Sequence, residues 1–404
     1  GSIILRDGEE RATGELFYTA YFRTNADSGS PRPIMFSYNG GPGSASFWLH
    51  MGIMGPRRVV TPTVGPQGAP PYPLVDNQYT LLDMADIVMV DPIGTGFSRP
   101  LGDTPGTEFW GIDEDARSLT RFIRRFLSRY ERWNSPRYLL GESYGTTRSA
   151  VLARHLQGAN IDLNGIVLVS AVLDFKTIQF PPQAIVPYVV NLPSYALVAA
   201  YHDALPGGTP PDMPAFLTVV EAWTLTEYAS ALLAGGTLDP TVRTRVIQRM
   251  HHYTGLSREY LGRAGLRVTS PEFRQELLRS RGLQVGRLDA RFAGPIGEPL
   301  DRTPTHDVQS TAISSAYTTA FNTYLREELG YDGDREYTPS GAARAPFPAA
   351  PGGAASANNS WLSRALNEAD DSQPIWVDDT TLAVCNQAFD RAVIMGAPEV
   401  GLEH

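Results

Sequence analysis

The amino-acid sequence predicts an α/β fold: a mostly parallel sheet flanked by helices, with a helical insertion acting as lid or cap. Three observations predict it. Short apolar runs recur at wide spacing, each bounded by glycine, proline or aspartate, as buried parallel strands tend to be. An amphipathic segment long enough for a crossover helix separates two of them. Beyond residue 176 the pattern changes to separate helices joined by proline-rich connections.

Taken in order, "IILRDGEERATGELFYTAYFR" carries an Asp-Gly turn between β-rich runs and predicts antiparallel edge strands. The apolar runs are "PIMFSY" at 33–38, "ADIVMV" at 85–90, "RYLL" at 137–140 and "NGIVLVSAVL" at 164–173. Between the second and third, Ala116, Leu119, Phe122, Ile123, Phe126, Leu127 and Tyr130 fall on one helical face. Asp113 to Asp115 occupy the first turn and Arg129 and Arg132 the end, the charge order a helix dipole favours. The arginines of this segment read as its solvated face.

The predicted organisation is a first core part over 1–175, a helical cap over 176–300, a return to the core over 301–340, and a linker with an atypical tail over 341–404. A helix is expected at 313–328. The stretch "GAARAPFPAAPGGAASANNS" reads as linker or disorder. "PIWV" and "AVIM" are weak strand candidates in the tail. The opening "GS" and closing "LEH" read as cloning remnants.

Composition narrows the function. With 404 residues, 42% hydrophobic and 19% charged, the chain is globular with ample core. A net charge of −9 argues against a nucleic-acid surface. The most apolar stretch, "AIVPYVVNLPSYALVAA", is interrupted by Pro187, Asn191 and Pro193, so no membrane span is expected. The single cysteine, Cys385, excludes an internal disulfide framework and a cysteine-based metal site. No metal or cofactor is called for, and oligomeric state is not legible.

The chemistry centres on "YLLGESYGTTRSA", residues 138–150. Gly141-Glu142-Ser143-Tyr144-Gly145 fits G-x-S-x-G, a sharp strand-to-helix corner that exposes a serine oxygen at the top of an α/β-hydrolase sheet. Alone the pattern arises by chance on the order of 0.1 times in such a chain. A preceding apolar strand and a following helix make it far more specific. A serine hydroxyl also needs a base for its proton and donors for the oxyanion. The loop "SYNGGPGSAS", residues 37–46, follows a strand with little side-chain bulk, so its amides can approach a ligand. With the amide of Tyr144 it is suited to an oxyanion hole. "VMVDPIGTGFSRP" lacks the lysine and spacing of a phosphate loop; Asp91 to Ser98 is expected to be a shaped loop beside the serine.

"NGGPGS", "DPIGTGFS" and "GESYG", in this order, resemble the serine carboxypeptidase family, the α/β-hydrolases of peptidase family S10. "RLDARFAGP" and the helix ending "YLREELGY" look like its bacterial branch, and the resemblance extends over roughly 10–340. It implies Ser143 as acyl-enzyme nucleophile and the amides of Gly41 and Tyr144 as oxyanion hole. Asn39, Gly40 and Glu142 would hold a peptide's terminal carboxylate. Two carboxylates in contact cannot both stay ionised in a dry site, so an acidic optimum is implied. A peptide substrate and a secreted or periplasmic location follow from the same resemblance.

The chain departs from the family in two ways. Ile53 stands where a second glutamate precedes Gly55-Pro56, and Ser37 replaces a tryptophan. The triad acid and histidine are also unrecognisable after residue 340. Asp378 and Asp379 are weak candidates for the acid. His50, His155, His202, His251, His252 and His306 all read as structural, and His404 lies in the apparent tag. The tail is expected to have lost the family's last strands through a frame change, truncation or chimera. An esterase or acyltransferase on the same fold, and a catalytically silent binding protein, are the alternatives to a carboxypeptidase-like hydrolase.

Overall fold

The computed structural model describes residues 1–24 and 31–341 of the chain. The linker from 342 onward, both tail strand candidates, Asp378, Asp379, Cys385 and His404 lie outside the described residues. Two compact units are formed. One comprises Gly1–Val60, Tyr72–Leu173 and the described residues from Tyr317; the other comprises Thr61–Pro71 and Asp174–Ala316.

The first unit is α/β-hydrolase-like. Its sheet has six main strands: β1 (Ser2–Arg6), β2 (Ala12–Tyr21), β3 (Ile34–Tyr38), β4 (Asp86–Val90), β5 (Arg137–Glu142) and β6 (Gly165–Val169). They lie in the order β1-β2-β4-β3-β5-β6, and a two-residue strand, Arg99–Pro100, pairs with β2. β1 and β2 are antiparallel, as the Asp-Gly turn predicts, whereas β4-β3-β5-β6 are parallel.

The central strands are apolar throughout because both faces are covered. Ile34, Phe36 and Tyr38 of β3, Val88 and Val90 of β4 and Leu139 of β5 pack on one side. Helices α1 (Ile112–Arg129) and α2 (Tyr144–Gly158) supply Phe122, Phe126, Leu152 and Leu156 there. The alternate residues Met35, Ile87, Met89 and Leu140 face the other side, against Leu49 and Met54. A period of two therefore persists within runs that show no polar alternation.

Helix α1 buries its expected face except for Tyr130, which caps the helix, is half-exposed, and shares a hydrogen bond with the Tyr18 hydroxyl at 2.8 Å. Not all the arginines of this segment are solvated. Arg132 pairs with buried Asp86 at 2.6 Å and donates to the Arg32 carbonyl, whereas Arg129 is exposed as expected and donates to that of Ser2.

The second unit is helical. α3 (Val186–Tyr201) accommodates Pro193 without ending, and α4 (Ser270–Glu276) begins with a reciprocal Thr269–Glu272 capping box. α5 (Val308–Glu327) starts five residues before the expected 313. Asp307, accepting from the Ser310 amide at 3.0 Å, caps it there. No helix among the described residues is long and apolar enough to cross a membrane.

At the carboxyl end of β4, Asp91 is fully buried and ties loops together. Its Oδ1 accepts from the Ser46 amide at 2.8 Å and the Tyr337 hydroxyl at 3.1 Å. Burial pushes this carboxyl up to about 7, against the pull of those donors and of the Phe97 amide. The folded chain then holds a proton that the unfolded chain releases above 3.8. Stability from this group is complete below that value and is lost as pH rises through about 7. Relative to Asp91→Asn, the wild-type chain is expected to lose a few kcal/mol of advantage between pH 4 and 7, at ~1.4 kcal/mol for each tenfold change in proton affinity. Urea unfolding of both proteins across that range measures it; a difference independent of pH contradicts the assignment.

Candidate active site

Ser143 sits between β5 and α2 with φ 57° and ψ −124°, a left-handed backbone that a side-chain-bearing residue rarely adopts. The corner is held on both sides. The Ser143 amide donates to the Val169 carbonyl at 2.9 Å, and its own carbonyl accepts from the Thr146 amide at 2.9 Å and hydroxyl at 2.7 Å. The helix turns back so tightly that a Cβ on Gly141 would lie 2.0 Å from the Gly145 carbonyl oxygen. Such strain costs about 1–3 kcal/mol and persists only where the surroundings over-determine it. The serine itself remains partly exposed.

Strand register brings the glycine turn to this corner. β3 and β5 run parallel with Tyr38 opposite Gly141, so one step further along each strand Asn39 meets Glu142. The Asn39 amide Nδ2 donates to Glu142 Oε2 at 2.9 Å, and the Gly40 amide donates to the same oxygen at 3.4 Å. Asn39 is oriented from behind by the Leu49 amide, which donates to its Oδ1 at 2.9 Å. Gly40 then runs so close to the corner that a Cβ there would be 2.4 Å from the Tyr144 nitrogen. Gly41 follows with φ 106°. No hydrogen bond among the described residues occupies its amide. Tyr144 is the first residue of α2, where amides point out along the helix axis and favour negative charge.

A residue that sequence reasoning missed locks the arrangement. Arg148, on the second turn of α2, is 2% exposed. It donates to the Asn39 carbonyl at 2.7 Å and pairs with buried Asp115 at 2.7 Å. Its guanidinium lies over the rings of Tyr38 and Tyr144, at 5.3 and 5.0 Å from their centroids. Tyr337–Gly341 carries no local sequence signal of a role here. Thr338 exchanges backbone hydrogen bonds with Gly96, Pro339 accepts from Ala45, and the Gly341 amide donates to the Gly43 carbonyl at 2.7 Å. This segment therefore bridges the 91–98 loop and the glycine turn.

Histidine is absent from the bonding around the elbow among the described residues. His50 is buried, with Nε2 at 2.5 Å from the Tyr21 hydroxyl, and burial pushes its pKa down to about 3. His155 pairs with Asp113 at 2.8 Å. In the helical unit, His202 and His251 bond the Ala290 and Leu256 carbonyls, His306 meets Gln284, and His252 packs beside Tyr253. Ile53 is 50% exposed, whereas Ser37 is buried in β3. The strained corner, the hydrogen-bonded Glu142 carboxylate and the close approach of the glycine turn to the Tyr144 nitrogen together suit a site where a serine oxygen attacks an acyl carbon and the developing oxyanion meets N–H donors.

Comparison with known proteins agrees with the motifs over the first half of the chain. Residues 6–191 match the serine carboxypeptidase family model, Peptidase_S10. Serine carboxypeptidase-like 45 from Arabidopsis thaliana is 29% identical over 189 residues, 44% of this chain and 37% of that protein. The chain thus spans little more than a third of the length of that relative. Among solved structures, Kex1(delta)p, a prohormone-processing carboxypeptidase from Saccharomyces cerevisiae, is similar at 20% identity. That alignment covers 63% of this chain and 52% of the other, with a TM-score of 0.41. Proline iminopeptidase from Mycobacterium smegmatis is similar at 14% identity, covering 63% and 69% with a TM-score of 0.29.

Two outcomes follow from the geometry. Glycine relieves the left-handed strain at position 143 and alanine does not, so Ser143→Gly is expected to be more stable than Ser143→Ala by about 1 kcal/mol. Denaturant unfolding of the pair reads it, and the reverse order would mean the corner is relaxed. Arg148→Met is expected to cost about 3–5 kcal/mol by leaving Asp115 buried without its cation. Adding Asp115→Asn should recover part of that loss, measured by the same unfolding experiment.

Proposed function

We propose that the chain is a serine hydrolase of the carboxypeptidase-like S10 type, cleaving peptides near the C-terminus through an acyl-enzyme on Ser143. The observation that carries the proposal is the apposition of the strained Ser143 corner and the Asn39–Gly41 turn. In this reading Ser143 Oγ attacks the scissile carbonyl carbon, and the amides of Gly41 and Tyr144 receive the oxyanion. Collapse of the tetrahedral intermediate expels the amine and leaves an ester on Ser143, which water then hydrolyses. Glu142, held by Asn39 and Gly40, belongs to the binding of the substrate's terminal carboxylate. A base and its orienting acid are required, and among the described residues no histidine bonds the elbow. A secreted or periplasmic location belongs to the same proposal.

Two further readings are favoured by specific observations. Ile53 and Ser37, which stand in place of the family's second glutamate and tryptophan, favour an esterase or acyltransferase with looser demand for a terminal carboxylate. The engagement of His50 and His155 elsewhere favours a catalytically silent binding protein.

A fluorophosphonate probe separates them. The wild-type chain is expected to be labelled at Ser143, with labelling lost in Ser143→Ala, as mass spectrometry of the tryptic peptide reads. Release of the C-terminal residue from amino-blocked peptides then supports the carboxypeptidase reading, and turnover of esters without any peptide turnover supports the esterase. An unlabelled wild-type chain that still binds peptides overturns the hydrolase in favour of the silent form.

A further inference from the structure

The helical unit holds a cavity of about 450 Å³, within the size range of small-ligand sites. Its apolar wall is built by α3 and α4, where the Tyr195 and Phe273 rings stack at 4.2 Å between centroids and Val198 extends the surface. Leu197, Tyr201 and Leu288 stand exposed around it. Scattered apolar residues at a surface need no explanation, but these border one concave space.

Of the charged side chains that line it, Arg274, Arg287, Asp289 and Arg291, the most buried is Arg274. Its side chain is 13% exposed, yet it makes no hydrogen bond among the described residues, and its Nε is shut off from solvent without an acceptor. A buried cation is ordinarily paired and hydrogen-bonded, because desolvation costs more than unaided burial returns. The two nearby acids are committed elsewhere. Asp289 is forked by Arg291 at 2.6–3.1 Å. Asp307 caps α5 through the Ser310 amide and hydroxyl, accepts from the Arg287 amide at 2.7 Å, and reaches Arg274 only at 3.7 Å. Arg287 and the Asp289-paired Arg291 are further cations of the lining. Burial, with Arg287 beside it, lowers the proton affinity of Arg274 despite Asp307, the direction expected where an anion is missing.

We propose that this cavity binds an amphiphilic carboxylate, its head group forked on the Arg274 guanidinium and its aliphatic or aromatic body laid against Tyr195, Phe273 and Val198. A planar guanidinium matches a carboxylate with two parallel N–H···O bonds, which an amide of the same shape cannot reproduce. The chain's net charge of −9 opposes non-specific uptake of anions, so binding here depends on these local cations. The site does not rest on Ser143 chemistry.

Isothermal titration of the full chain with octanoate and octanamide tests it. Octanoate is expected to bind at one site at least about tenfold more tightly than octanamide, in line with the strength of charge-assisted forks. Arg274→Met should reduce octanoate to the octanamide level and leave octanamide unchanged, while Ser143→Ala should alter neither. Equal affinity for the two ligands, no octanoate binding at millimolar concentration, or undiminished binding by Arg274→Met overturns the proposal. If Arg274→Met does not fold, the exposed Arg287→Gln variant decides: a severalfold weakening confined to octanoate supports the site, and unchanged affinity counts against it.

Discussion

Two backbones meet at the carboxyl edge of the sheet with no room for a side chain between them, and the rest of the first unit is arranged around that meeting. Gly40 lies against the Tyr144 nitrogen at a separation that a methyl group would close. Tyr38 opposite Gly141 sets the approach, and a slip of one residue in this register would turn the side chains of either strand to the other face. Because the edge is fixed in this way, Ser143 can be kept in a conformation that it would not adopt alone.

Arg148 explains how polar backbone survives in so crowded a place. The Asn39 carbonyl turns inward, and an unmet buried acceptor costs about 1–3 kcal/mol. A neutral donor would satisfy the carbonyl. A guanidinium also reaches Asp115 at the start of α1, so one side chain joins β3's exit, α1 and α2. Asp91 performs the corresponding task at the next strand end, joining the Ser46 amide to Tyr337. Both are buried ionisable groups, and both link elements far apart in sequence.

That distance is why they were not legible. The strands, the α1 crossover helix, the elbow and the glycine turn are each written within about twenty consecutive residues, as apolar runs, a helical period or a G-x-S-x-G spacing. Arg148 in "TTRSA" looks locally like any helical arginine. Its meaning comes from Asp115, 33 positions earlier, and from Asn39, 109 positions earlier. The start of α5 lies five residues before the expected 313 for a smaller reason of the same kind. Periodicity marks the apolar face, whereas Asp307 ends the preceding loop and sets the boundary. Arg274 reads as a solvated helical cation until the commitments of Asp289 and Asp307 are known.

The histidines sharpen the chemical argument. A general base must reach the nucleophile's proton directly or through one water, and a histidine already locked to another partner would have to break that contact first. His50 is the clearest case. It is enclosed by Phe321, Tyr324 and Tyr21, with a pKa pushed down to about 3. Protonating it at neutral pH would place a charge among aromatic rings without a counter-ion. In the proposed function, the groups assigned as oxyanion donors, carboxylate partners and nucleophile all belong to one sheet edge within residues 39–148, where Asn39 and Gly40 contact Glu142 and Gly40 lies against Tyr144. On that proposal proton transfer would have to be supplied at the same edge, where Thr338 pairs with Gly96 and Gly341 with Gly43. Reactivity of Ser143 would thus report on a base separately from the backbone arrangement at the corner, and the two need not be present together.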